Sequence, residues 1–181
     1  MSSQFMSVND RRCHLLSELL KVTSFSHDPH TKIGCILVSN DFQQSILTSG
    51  YSSFPTGIQV NDSRLQRPEK YYWINHAEQS LLMSALNSQI PVKGSHLYIT
   101  SPVICTDCAK NLCQAAIHAI TFVEFQGITN PPSPDKWTEH YIRSNQMFHE
   151  SGITLRNLVI HNPQAIIDKQ IISFTQTTIQ P

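Results

Sequence analysis

The apolar positions change period several times along the chain, and each change marks an element. Leu15, Leu16, Leu19 and Leu20 recur at helical spacing behind Asn9 and Asp10, two residues suited to capping, and predict a helix over about 10–22. Ile33 to Val38 is an unbroken apolar run that reads as a buried strand, Asn40-Asp41 as a turn, and Ser45 to Ser49 as the returning strand of a hairpin. Tyr51 to Asn75 has little periodicity. It carries Pro55, Gly57, Pro68 and the aromatic group Tyr71-Tyr72-Trp73, and loops of that length inside a domain are usually functional. His76 to Leu86 then reads as a helix, Leu97 to Thr100 as a strand, Cys105 to Ala116 as a helix and Ala119 to Phe125 as a strand. Asn130-Pro131-Pro132 with Pro134 forms a rigid connector. Asp135 to Ser151 predicts a helix stopped by Gly152, and Ile153 to Ile160 a last strand. The end, FTQTTIQP, reads as frayed. We therefore expect one domain over residues 1–160 and a C-terminal tail over 161–181. Strand and helix alternate through most of it, which predicts an α/β fold: a mixed sheet with helices on both faces.

Composition narrows the class. A chain of 181 residues can bury one core. Only 14% of its residues are charged, and 13 basic side chains balance 13 acidic ones. A neutral surface has no footprint for a phosphate backbone, so no nucleic-acid partner is expected. Ile33 to Val38 is too short to span a bilayer, and no membrane association is expected. The start, MSSQFMSVNDRR, has no apolar stretch behind a basic segment, so a cytoplasmic location is expected. The chain has five cysteines, with Cys105, Cys108 and Cys113 close together, which in a cytosolic protein points to metal binding or catalysis rather than a disulfide framework.

The residues that carry chemistry are His76-Ala77-Glu78 and Cys105-Thr106-Asp107-Cys108, each at the start of a predicted helix. Helix starts present unpaired N–H groups and a positive dipole end, which stabilise a thiolate. Cys105 and Cys108 lie three apart on one helical face and can share an ion; His76 adds a nitrogen. Three protein ligands leave the fourth tetrahedral position for water, the arrangement of catalytic zinc, so Zn2+ is the expected cofactor. Glu78 need not be a ligand. Beside the activated water it can take a proton and return it. Cys113, about two helical turns past Cys105, together with Cys35 and Cys13, reads as core filling. His96 and His118 flank strands and read as surface or hydrogen-bonded histidines.

The H-x-E and C-x-x-C pair is a zinc-deaminase signature, and from about Leu15 to Gly152 the chain resembles the deoxycytidylate (dCMP) deaminase family of the cytidine deaminase-like superfamily. The shared residues are Ser26-His27-Asp28-Pro29, Ile33-Gly34-Cys35, Gly50-Tyr51 with Phe54-Pro55 and Gly57, and Arg67-Pro68-Glu69-Lys70-Tyr71. They continue through His76-Ala77-Glu78, Leu97 to Thr100, Cys105-x-x-Cys108-Ala109-Lys110 and Gln114-Ala115. The resemblance implies a three-layer α/β/α sandwich around a central five-stranded mixed sheet. It implies hydrolysis of dCMP to dUMP and ammonia, with zinc on His76, Cys105 and Cys108, Glu78 as the proton shuttle, and Ser26, Ser52, Phe54 and Ser101 at the substrate. The partner it implies is a small-molecule nucleotide, and the assembly a homo-oligomer.

At three places the chain departs from the family's usual residues. Ser52 and Ser53 follow Gly50-Tyr51 where the family has Asn and Gly, Ser80 stands where it has Asn, and Ile104 stands where Pro directly precedes the first Cys. Serine reaches less far than asparagine and has no amide to donate and accept at once. The same chemistry on another amino-heterocycle is therefore a second reading: a nucleoside, a modified cytosine nucleotide or a purine base. A non-enzymatic, zinc-stabilised nucleotide-binding module is a third. Lys32, Arg64, Arg67 and Lys70 are the basic candidates for a phosphate.

Overall fold

The computed structural model describes residues 7–129, 134–167 and 174–179. Helix α1 spans Val8–Ser24, and the hairpin β1 (Gly34–Val38) and β2 (Ile46–Tyr51) follows. The long segment after β2 contains two single-turn helices, α2 (Asp62–Leu65) and α3 (Lys70–Trp73). Then come α4 (Ala77–Asn87), β3 (His96–Ile99), α5 (Thr106–Gln114), β4 (Ala119–Phe125), α6 (Pro134–Glu150), β5 (Thr154–Ile160), α7 (Gln164–Ile167) and β6 (Phe174–Thr178). The proline-rich connector expected at 130–132 lies outside the described residues. Helix α1 starts earlier than its apolar stripe does: Ser7 caps it, and Asp10, expected as the cap, instead closes a reciprocal capping box.

The strands form one mixed sheet in the order β2-β1-β3-β4-β5-β6. β1 pairs antiparallel with β2 and β3, β3–β4–β5 run parallel, and β6 returns antiparallel along β5. The sheet therefore has six strands where five were expected. The sixth comes from the segment that reads as frayed, in register from Ile160 opposite Phe174 to Arg156 opposite Thr178. Thr175 to Thr178 are exposed, so this strand is held by backbone pairing to the open edge of β5 and by threonine's preference for extended backbone. Neither leaves an apolar pattern in the sequence.

The expected three layers are present. Cys35 and Leu37 of β1, Leu97 and Ile99 of β3, and Ile120 and Phe122 of β4 face a core closed by α4, α5 and α6. The alternate residues Ile36, Val38, Val123 and Phe125 face a second core closed by α1 and α7. Burial on both faces explains the unbroken apolar run of β1. Cys13 and Cys35 are buried in these cores, as expected of small apolar fillers. Among the described residues no helix is long and apolar enough to cross a membrane.

Candidate active site

The site forms where α4 and α5 begin beside the ends of β2 and β3. Ser53 and Asn75 exchange backbone hydrogen bonds of 3.2 and 2.8 Å, which ties the chain leaving β2 to the residue before His76. His76 is the N-cap of α4, with extended backbone, and donates its N–H to the Gln79 side chain at 3.1 Å. Cys105 is the N-cap of α5, and its sulfur accepts from the Cys108 N–H at 3.4 Å. Two capping residues from separate helices thus meet. His76 Nδ1 lies 3.3 Å from the Cys105 sulfur and 3.5 Å from the Cys108 sulfur, and all three donor atoms lie within 4.8 Å of one another.

These three donors fit zinc. Sulfur and nitrogen ligands on one tetrahedral zinc ion stand about 3.5 Å apart, given bonds of about 2.3 and 2.0 Å. The group contains three donors, which matches an open rather than a closed site. Cys113, half-buried, donates instead to the Met147 carbonyl at 3.7 Å.

Electrostatics separate the members. The Cys105 thiol is lowered to about 4, first by the hydrogen bond from Cys108 and then, against its burial, by His76. His76 is raised to about 9, chiefly by its bond to Cys105, with burial opposing. Cys108 holds its proton more tightly than a free thiol because it donates to Cys105 and is buried. Glu78, 4% exposed, is pushed up from the ordinary carboxylate range by burial, with His76 pulling the other way.

A cavity of about 170 Å³ opens on this cluster, and His76, Glu78 and Cys105 form part of its wall. Of the other residues expected at the substrate, Ser52 and Ser101 line it and Ser26 and Phe54 do not. Ser52 is buried, and its hydroxyl has no partner among the described residues. Ser101 donates to the Val103 carbonyl at 2.7 Å. Ser26 accepts from the Asp28 N–H at 3.3 Å, and Phe54 packs on the His27 ring with centroids 5.9 Å apart.

The basic candidates also separate. Lys70 is buried against Asp28, and Arg64 lies 3.8 Å above the Trp73 ring and donates to the Gln59 carbonyl at 2.8 Å. Arg67 is exposed, lines the cavity and has no partner among the described residues. Lys32 is exposed and does not line it. Of the aromatic group, Tyr71 lines the cavity, whereas Tyr72 is 79% exposed.

Sequence reasoning missed the contribution of α6. Trp137 lines the cavity, and His140, one turn on, accepts from the Thr106 N–H at 3.2 Å at the start of α5. The available signal was their spacing of three on one helix, which puts both side chains on one face.

The comparisons agree with this geometry. Residues 9–124 match the family model described as the cytidine and deoxycytidylate deaminase zinc-binding region. A probable deoxycytidylate deaminase of Caenorhabditis elegans is 31% identical over 111 residues, 59% of this chain and 54% of that protein, so the chain spans about half the length of that relative. An uncharacterized deaminase in the luxG 3′ region of Aliivibrio fischeri is 24% identical over 143 residues, covering 79% of this chain and 88% of that one. Among solved structures, the dCMP deaminase of cyanophage S-TIM5 in complex with dCMP and dUMP superimposes with a TM-score of 0.62 at 20% identity, over 84% of this chain and 98% of that one. At that identity the likeness concerns the fold.

Proposed function

The chain belongs to the cytidine and deoxycytidylate deaminase zinc-binding family, and from that membership we propose that it removes the exocyclic amine of a cytosine mononucleotide, converting dCMP and water to dUMP and ammonia. One observation carries the proposal: Glu78 is buried in the wall of the cavity that is also lined by His76 and Cys105, two of the three donors that fit zinc. A purely structural metal site has no use for a buried carboxyl group beside it.

His76, Cys105 and Cys108 would hold zinc. Bound there, zinc would act as a Lewis acid, lowering the pKa of water to about 7 and so supplying a nucleophile at neutral pH. The remaining work falls to the chain's own residues. Glu78 takes the water's proton and delivers it to ring N3 as oxygen adds to C4. It then takes the proton of the new C4 hydroxyl and passes it to the departing amine, which leaves as ammonia. The raised affinity of Glu78 for a proton suits a group that must hold one between these transfers. Ser52, with its unpartnered hydroxyl at the cavity, and Ser101 are the proposed polar contacts to the nucleotide. Tyr71 and Trp137 supply aromatic wall for the base. Arg67 is the proposed phosphate contact, supported by its exposed guanidinium at the cavity.

The second reading, another amino-heterocycle, is favoured by Ser52 standing where the family has asparagine. Ammonia release measured on the zinc-loaded chain with nucleosides and their mono-, di- and triphosphates separates the two. The proposal expects the highest kcat/KM with dCMP; a clear preference for an unphosphorylated compound replaces it with the second reading, and no turnover of any of them favours the binding module. The reading includes cytoplasmic action and a homo-oligomer. Self-association is supported by exposed Met83 and Leu86 on α4 beside an apolar groove, and sedimentation tests it.

A further inference from the structure

The face of the sheet turned away from the zinc ligands is unlike an ordinary buried sheet face. Along β1 and toward the end of β4 it is apolar, with Ile36, Val38, Val123 and Phe125 under α1 and α7. Next to Ile36 and Val38 in register, β3 and the first residues of β4 and β5 present polar side chains. Tyr98, Thr121 and Arg156 are register partners across β3, β4 and β5, so they form one row. His96, two residues before Tyr98 and therefore on the same face, is 2.8 Å from the Thr121 hydroxyl. This part of the sheet and the first turns of α1 enclose a second cavity of about 270 Å³, close to the lower limit of small-molecule sites.

The lining is one-sided in charge. Arg12 reaches it from α1, Arg156 and His96 form its floor, and His118 stands at its rim. No carboxylate lines it among the described residues. Arg156 is half-buried, and its guanidinium makes no ion pair or hydrogen bond among them and stays in reach of solvent. An arginine in a polar cavity offers a planar fork matched to phosphate oxygens. The field there is felt by its neighbour: His96 is held down to about 4 by burial and then by the positive charges of Arg156 and His118. Exposed His118 and exposed Gln176 of β6 border the cavity, so a ligand has a route in from solvent.

We propose that this cavity is a second ligand site, separate from the zinc site, that binds a small phosphate-bearing anion through Arg156 with His118 at its rim. The two sites lie on opposite faces of the same sheet, so this proposal stands whether or not the deaminase reading holds. The sixth strand completes the site, because Gln176 borders it from opposite Leu158.

The test is a titration of the zinc-loaded, 15N-labelled full chain at constant ionic strength, with inorganic phosphate in one arm and dUMP in the other. The proposal expects saturable shifts of the Tyr98, Thr121 and Arg156 amides. Tighter saturation by phosphate identifies a free ion, and tighter saturation by dUMP at the same amides identifies a phosphate monoester. Arg156→Gln should weaken binding by roughly tenfold or more. His118→Ala alters only an exposed side chain and should weaken it several-fold, which keeps the test decisive if the first variant folds poorly. Shifts confined to Arg67 and Tyr71, no saturation in either arm, or wild-type affinity in folded variants overturns the proposal.

Discussion

Lys70 Nζ donates to Asp28 Oδ2 at 2.5 Å, with only 4% and 13% of the two side chains exposed. The same carboxylate accepts from the backbone N–H groups of His30 and Thr31 at 2.8 and 3.1 Å. One buried charge pair therefore joins the turn after α1 to α3, two segments that are far apart in sequence and both line the cavity. Burial alone would raise the Asp28 pKa. The hydrogen bond and charge of Lys70 and the two N–H groups outweigh it and hold the carboxyl below its usual range.

Breaking this pair from one side should cost more than removing it. Lys70→Met leaves a buried carboxylate without its cation and is expected to destabilise the fold by about 3 kcal/mol. The double variant Lys70→Met with Asp28→Leu should recover most of that loss, as urea unfolding would show. The pH dependence follows from the lowered Asp28 pKa. Its stabilisation is present above the unfolded value of about 3.9 and fades as pH falls through the lower folded value. Asp28→Asn should therefore flatten the fall in stability below about pH 4; an unchanged acid limb would count against the pair.

Glu78→Gln preserves shape and burial but removes the group that carries protons. Zinc content should stay at the wild-type level while turnover falls by about 10³-fold, a loss typical of a positioned acid–base. Metal analysis and ammonia release on the same preparation check both halves. Turnover near wild type would remove Glu78 from the mechanism.

Cys108→Ala takes away a buried sulfur 3.5 Å from His76 Nδ1. Two donors remain, too few for a tetrahedral protein site. Zinc and activity should be lost together, and the melting temperature should no longer rise on adding zinc. Full zinc occupancy in this variant would exclude Cys108 as a ligand.

Much of this site was legible because its chemistry sits at helix starts. His76 and Cys105 are N-caps whose positions follow from the apolar pattern behind them, and Glu78 and Cys108 come with them at fixed offsets. The sheet was legible where burial on both faces wrote apolar runs, and illegible at β6, whose exposed Thr and Gln residues are held by backbone pairing. Contacts between distant segments were also hidden. Lys70 looked like a phosphate ligand because nothing local reveals that Asp28 neutralises it. Ser53 and Ser80 are 27 residues apart in the chain, yet their hydroxyls lie 3.1 Å apart and link the end of β2 to α4. His140 and Trp137 reach the site only because α6 packs beside α5.

That same junction of β2 and α4 depends on Gly50. A Cβ there would stand 2.4 Å from the Leu81 nitrogen and 2.5 Å from the Ala77 carbonyl oxygen, both backbone atoms of α4. Backbone cannot rotate aside as a side chain can, so Gly50→Ala must push α4 away from β2. His76 and Glu78 ride on that helix, while Cys105 and Cys108 ride on α5. The variant is therefore expected to lose about 2 kcal/mol of stability or more and to bind zinc more weakly, with turnover falling accordingly. Gly57→Ala is the matched control. It has open space around its Cβ but a φ of +84°, so its cost of about 1 kcal/mol is purely conformational and should leave zinc affinity unchanged. Equal zinc affinity in the two variants, measured by competition with a chelator, would show that the close approach of α4 to β2 does not set the geometry of the metal ligands.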